Sequence, residues 1–153
     1  MEYDPDKYSD ILEEVAFLAK RPPFVVSEIR NYTLPWPPTV NTYWRHTKRG
    51  IHYVSKRGVQ FRQDVAAAVG KVKPLSERIA VRIVMCKPES GRWMDIDNGL
   101  KAILDALQHA GVYENDSQID ELSVRKGDPK DDGVVFVQVA VLSNSLQLSL
   151  RRI

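Results

Sequence analysis

The stretch Met94–Ile119, MDIDNGLKAILDALQHAGVYENDSQI, decides how the rest of the chain is read. From Leu100 the apolar positions Leu100, Ile103, Leu104 and Leu107 recur at i, i+3, i+4 and i+7, the period of one buried helical face. Asn98 and Gly99 are poor helix formers that suit a first turn, and Gly111 just past Ala110 predicts a C-cap. Asp95 and Asp97 stand one residue apart directly before that helix. On a wheel of about 100° per residue, Asp97, Lys101 and Gln108 share one flank of the apolar stripe. Lys101 is thus one turn beyond Asp97 on the same side. After Gly111 the chain turns through Tyr113, Glu114, Asn115 and Asp116 before a strand-like run begins at Ile119. A reversal that short returns Asp116 to the helix's N-terminal end only if the following strand runs alongside it.

Three carboxylates and a lysine have a chemical use. Hard divalent cations such as magnesium take oxygen ligands, often one or two carboxylates with water completing the shell. A metal held there polarises a phosphoryl oxygen and lowers the pKa of bound water. The spacing of Asp95 and Asp97 places both carboxylates on one side of an extended segment. A structural account stands beside this one: Asp97 as an ordinary N-cap, and Lys101 with Asp105 as a solvated i, i+4 pair. Spacing alone does not choose between them.

The pattern D-I-D-N-x-x-K-A-x-x-D-A-L followed by G-V-Y-x-N-D-x-Q-I resembles the core of the RusA-type Holliday junction resolvases. Leu34 to Arg45 (LPWPPTVNTYWR) and Tyr53 to Val65 (YVSKRGVQFRQDV) resemble the same family in the same order, so the likeness runs from about Ile29 to Val141. The resemblance implies a compact mixed α/β fold working as a homodimer, a magnesium cofactor, and branched DNA (the Holliday junction) as substrate. It also matches Asp95, Asp97 and Asp116 to the family's metal-binding aspartates and Lys101 to its essential lysine. Two positions depart from the pattern. Asn115 stands where some members carry a further aspartate, and Arg92-Trp93-Met94 replaces a strongly basic run. Trp93 remains able to stack on an exposed base.

Length and composition bound the answer independently. A chain of 153 residues with 43% apolar and 27% charged residues is that of a single globular domain with a sizeable core. No apolar run approaches the roughly 18 residues of a membrane span. The opening MEYDPDKYSD is acidic where a signal peptide is basic and then apolar. Cys86 is the one cysteine, which excludes a disulfide framework or a cysteine metal cluster. A reducing cytoplasm, bacterial or phage-encoded, is the expectation.

The net charge of +2 conceals an asymmetry. Residues 1–14 hold six acids against Lys7, a balance of −5, so the remainder carries +7. Much of it lies between Thr42 and Lys73, where Arg45, Lys48, Arg49, Lys56, Arg57, Arg62, Lys71 and Lys73 face Asp64 alone. Interleaved with Tyr43, Trp44, His46, His52 and Tyr53, these cations suit a phosphate backbone with aromatic contacts. Composition equally suits a solvated, charged helix face. The expected DNA contacts are Asn41, Tyr43, Arg45, Lys48, Arg49, Lys56, Arg57, Arg62, Arg92 and Trp93.

In chain order, Ser9 to Lys20 reads as an amphipathic acidic helix, stopped by Arg21-Pro22-Pro23. Ile29 to Leu34 reads as a strand, Asn41 to Gly50 as a polar loop and Ile51 to Val54 as a short strand. Ser55 caps a helix with apolar positions Phe61, Val65, Ala68, Val69 and Val72, ended by Pro74. Ile79 to Cys86 alternates as a strand. Ile119 to Lys126 and Val134 to Val141 read as an antiparallel hairpin across the turn-rich residues 127–133. Asp128, Asp131 and Asp132 belong to that turn. The spacing near Asn115 excludes an EF-hand, because its glycine and terminal glutamate are missing.

The expected fold class is therefore α+β, a single domain with one mixed β-sheet flanked by helices, RusA-like, with an appended N-terminal helix. The expected divisions are 1–27 (acidic extension and linker), 28–142 (nuclease domain) and 143–153 (tail). The expected activity is a magnesium-dependent endonuclease that resolves four-way DNA by symmetric paired nicks, in recombination and repair. Two alternatives remain at this point: a junction-binding protein without nuclease activity, and a metal-dependent nuclease of flaps or other branched DNA.

Overall fold

The structure, a computed structural model, describes residues 24–144 together with Ser9 and Glu13. The expected helix over Ser9 to Lys20, those two residues apart, and the expected tail beyond Asn144 lie outside the described residues. The elements in chain order are β1 (Phe24–Pro35), α1 (Val40–Tyr43), β2 (Trp44–His46), β3 (His52–Val54), α2 (Lys56–Val69), β4 (Ile79–Cys86), α3 (Ile96–His109), β5 (Ile119–Lys126) and β6 (Val134–Asn144). A 3-10 turn, Asp116–Gln118, precedes β5. Among these elements no helix is long and apolar enough to cross a membrane.

Four strands form a mixed sheet in the order β1-β6-β4-β5. β4 and β5 are parallel, joined by the crossover helix α3, whereas β6 is antiparallel to both β4 and β1. A parallel pair requires such a long connection, while antiparallel neighbours do not. The α+β expectation holds, with one correction. β5 and β6 are not hairpin partners, because β6 passes the end of β4 and inserts between β4 and β1. The connecting residues are pinned across that end by Gly127 N–H to the Met85 carbonyl (2.8 Å) and Lys130 N–H to the Lys87 carbonyl (3.0 Å). A second correction concerns Asn41 to Gly50. It is a turn of helix followed by one arm of the β2–β3 hairpin, paired Trp44 to Val54 and His46 to His52.

The core lies between the sheet and the helices. Ile79, Val81, Ile83 and Met85 of β4 and the valines 135, 137, 139 and 141 of β6 meet Phe61 and Val65 of α2 and Ile103 and Leu107 of α3. Every residue of β4 is buried, as a central strand demands. On its other face Val84 and Cys86 pack with Phe136. Arg82 is also buried there, held by Glu121 at 2.6 Å.

The helix caps follow the sequence. Ser55 receives the Gly58 N–H at 3.1 Å and starts α2. Gly111 follows the C-cap of α3 with φ 83°, a left-handed conformation that glycine adopts without strain. Gly99 permits a close approach, since a Cβ there would meet Met85 Cε at 2.9 Å and Met94 Sδ at 2.8 Å. The start of α3 is thereby set directly onto the end of β4.

Candidate active site

The loop between β4 and α3 is held in shape by Lys87. Its ammonium donates to the carbonyls of Pro88 (3.1 Å) and Gly91 (2.8 Å), satisfying a tight turn that presents Arg92 and Trp93. The Trp93 ring meets Trp36 edge-on at 6.3 Å and has the ammoniums of Lys126 and Lys87 at 5.0 and 6.0 Å from its centroid. It is 38% exposed, so an edge and part of a face remain for a ligand.

Asp95 is the N-cap of α3, yet its side chain makes no capping hydrogen bond. Asp97 lies in the first turn and is exposed, as are Asp95 and Lys101. Acidic groups at a helix start are favoured by the backbone dipole. Asn98 serves the fold instead, its amide oxygen accepting the Val40 N–H at 3.1 Å and tying α1 to the start of α3. Among the described residues, Asp95, Asp97 and Lys101 have no side-chain hydrogen bond or ion pair.

The expected surface pair between Lys101 and Asp105 is not formed. Asp105 accepts instead from Arg62 Nη2 (2.7 Å) and Nε (3.0 Å) and from the Tyr43 hydroxyl. Burial and the neighbouring Asp105 carboxylate both push the Tyr43 hydroxyl pKa well above its ordinary value. The Tyr43–Arg62–Asp105 cluster locks α1, α2 and α3 together and leaves the Lys101 ammonium without a partner among the described residues. A cleft of about 350 Å³ opens beside that lysine, lined also by Val40, Asn41, Trp44, His46 and His52. The two histidine rings meet edge-on across the hairpin at 4.1 Å.

Asp116 is elsewhere. β5 runs parallel to β4, so α3 runs antiparallel to both and its two ends lie at opposite ends of the sheet. Asp116 belongs to the far end, where its N–H donates to Gln108 Oε1 at 3.0 Å. Fourteen helical residues intervene, about 21 Å at ~1.5 Å per residue. Within the single chain, then, Asp95 and Asp97 lie at one end of α3 and Asp116 at the other. Among the described residues no three His, Cys, Asp or Glu side chains converge to hold a metal. Asn115 faces its own turn, accepting the Ser117 N–H at 2.9 Å in a capping box with Gln118.

The expected DNA contacts divide by burial. Asn41, Arg45, Lys48, Arg49, Lys56, Arg57 and Arg92 are exposed, and the hairpin carries Arg45, Lys48 and Arg49 around its turn. Tyr43 is fully buried, so its ring faces the core and not a nucleic acid. Arg62 is half-buried and bound to Asp105. His46, His52 and Trp44 line the cleft, although the interleaved pattern marks them only as aromatics within a basic run.

A family model described as Endodeoxyribonuclease RusA matches residues 35–140, which contain all of these positions. The chain belongs to the RusA family. It is 35% identical over 117 residues to the crossover junction endodeoxyribonuclease rusA of Enterobacteria phage HK97, covering 74% of this chain and 95% of that one. The protein of the same name from Enterobacteria phage 82 is 33% identical, covering 73% and 94%. The Escherichia coli K12 protein is 34% identical, with coverage of 73% and 94%. The family match begins at residue 35, so residues 1–34 fall outside it.

Proposed function

We propose that this RusA-family chain is a homodimeric, magnesium-dependent endonuclease. Its substrate is the four-way (Holliday) junction, resolved in the cytoplasm by paired symmetric nicks during recombination and repair. Residues 28–142 form the nuclease domain, and residues 1–27 are an extension to it. One observation carries the reading. At the start of α3 two carboxylates and an ammonium are exposed beside a cleft and unengaged among the described residues, while the neighbouring carboxylate of Asp105 is engaged by Arg62 and Tyr43.

That donor set suits a hard divalent cation, because carboxylate oxygens uncommitted to caps or ion pairs are what magnesium selects. When bound, such an ion supplies Lewis-acid polarisation of a phosphoryl oxygen and lowers the pKa of bound water. Asp95 and Asp97 would hold it. Lys101, one turn along the helix, presents its ammonium to the non-bridging oxygens of the phosphate and offsets charge that builds there. Arg45, Lys48 and Arg49 engage flanking phosphates, which fix the register of the strand without reading its sequence. Two related nicks call for two related sites, which a symmetric dimer provides.

The separation of Asp116 from Asp95 and Asp97 favours a second reading, a junction-binding protein that does not cut. Incubation with a synthetic four-way junction, end-labelled on every strand, separates the two. Symmetric nicks with magnesium and none with EDTA support the nuclease. Binding in both and cutting in neither supports the second reading. Cutting of flaps with intact junctions would replace the substrate.

A further inference from the structure

The sheet has two faces, and the described helices cover one of them. α1, α2 and α3 pack on the side of Val81, Ile83 and the β6 valines 135, 137 and 139. On the other side β4 and β6 set three pairs in successive rows, Ala80 with Ala140, Arg82 with Gln138 and Val84 with Phe136. All six are buried. Gly127 lies against Val84 and Cys86 at one end, and no described helix or strand lies over the remaining rows. Arg82 gives its Nη2 to Glu121, while its Nε and Nη1 are buried with no partner among the described residues, a costly state for a charged group. The covered area has limits. Ile29 and Asn31, which continue the rows onto β1, are exposed, Ile29 at 43%. What remains is two strands wide and runs along residues 80–86, about 10 Å by 20 Å. A helix of about 12 residues, ~18 Å long and ~10 Å across, has that footprint.

We propose that residues 9–20 dock as an amphipathic helix on this face of the sheet. Ser9 and Glu13 are helical and exposed, and one turn apart they mark the solvent side. Ile11, Val15 and Leu18, at i, i+4 and i+7, then fall on the opposite side, against the rows of Ala80, Val84 and Phe136. Glu14 falls at the rim of that stripe, an acid beside a face whose buried charge is the Arg82 guanidinium. Chain length sets the same limit. Residues 21–23 span at most about 10 Å, so a helix that ends at Lys20 stays beside the start of β1 at Phe24. The inner side of β1 is taken by α2, which leaves the outer side. The tail, residues 145–153, starts from the neighbouring end of β6 but carries Arg151 and Arg152 and no acidic side chain, the wrong charge for Arg82. Residues 1–34 fall outside the family match, so the cover belongs to this chain. Docked there, the acidic extension stands across the sheet from the cleft and does not compete with phosphate.

The test is thiol accessibility in the full chain. Cys86→Ala with Ala140→Cys leaves one thiol in the covered rows, and Cys86→Ala with Ile29→Cys places one at the exposed margin. Under native conditions the first should react with a small maleimide at least ~10-fold more slowly than the second, because an opening that admits the reagent must break apolar contacts. Adding Ile11→Asp and Val15→Asp should bring the two rates together, and adding Glu13→Gln on the solvent side should change neither. Continued protection of the Ala140→Cys thiol in the chain carrying both aspartates, with the circular dichroism of a folded protein, would overturn the proposal. Equal rates before any addition would do the same. So would exposure of that thiol by removal of residues 145–153 alone, which assigns the face to the tail.

A second measurement leaves the sheet and its cover intact, and decides the matter if the chain carrying both aspartates unfolds. A photo-crosslinking analogue of phenylalanine is placed at Val15, and light and isotopically heavy copies are mixed before irradiation. The expected products join position 15 to residues 80–84 or 136–140 of the same copy. Attachment to α1, α2, α3 or the β2–β3 hairpin would overturn the proposal, as would no attachment at all. Links between light and heavy copies would give the face to a second copy and overturn it equally. Neither readout uses nicking, so the result stands apart from the nuclease reading.

Discussion

Asp97 and Asp105 lie on the same helix, two turns apart, and the protein treats them in opposite ways. Asp105 accepts hydrogen bonds from a guanidinium and a phenol and joins three helices. Asp97, with Asp95 before it and Lys101 after it, is bound to nothing among the described residues. A half-buried carboxylate that accepts from a guanidinium and a phenol through one oxygen is spent on the fold. Exposed ones beside an unpaired ammonium contribute little to stability and are free for chemistry. The difference is one of partners, not of residue type.

The contrast is most open to challenge at the exposed carboxylates. Asp95→Asn or Asp97→Asn should reduce single-turnover nicking by about 10³-fold or more, beyond the roughly 10²–10³-fold of one electrostatic donor. Junction affinity in gel shifts should hold or rise, since a negative charge facing phosphate is removed. Lys101→Ala should follow with a loss of roughly 10²–10³-fold in rate. Its unfolding free energy should fall by at most about 1 kcal/mol, as for an exposed charge. Lys101→Arg should rescue part of the rate, because a planar fork replaces a point charge poorly.

For the engaged carboxylate the expectation reverses, because Asp105→Ala removes the acceptor that Arg62 and the buried Tyr43 hydroxyl share and leaves them only each other. Denaturant titration should show a loss of about 2–3 kcal/mol, with the nicking rate of the folded fraction close to wild type. A large rate defect there would move Asp105 into the site. The smallest effects belong to the hairpin. Arg45→Ala, Lys48→Ala and Arg49→Ala should each lower the slope of log K against log salt by about 0.9 and weaken all DNA to a similar degree.

Much of the fold is legible in the chain alone. The limits of β4 and β5, the Ser55 cap and the glycine after α3 follow from periodicity and turn chemistry. The strand order does not. Residues 127–133 signal a reversal without saying which strand receives the chain. A hint lies in composition: Val134 to Val141 is apolar on both faces apart from Gln138, as an inner strand is, whereas Ile119 to Lys126 carries charged residues on both faces, as an edge tolerates. The distance between Asp116 and the helix start is not legible from spacing for a related reason. The parallel β4–α3–β5 unit carries whatever precedes β5 to the far end of the helix, a consequence of topology that residue spacing does not express. Tyr43 marks the remaining limit. Its neighbours Asn41 and Arg45 are exposed, and the packing of α1 beneath them, which no local pattern encodes, turns it inward.

Metal occupancy separates free carboxylates from committed ones without any need for cleavage. Mn²⁺, an oxygen-preferring substitute for magnesium, can be titrated into wild type, Asp97→Asn and Asp105→Ala and its binding followed by electron paramagnetic resonance. Wild type and Asp105→Ala should bind the ion comparably, and Asp97→Asn should lose it. Equal binding by all three would contradict the metal-site assignment and return Asp95 and Asp97 to the solvent-facing surface.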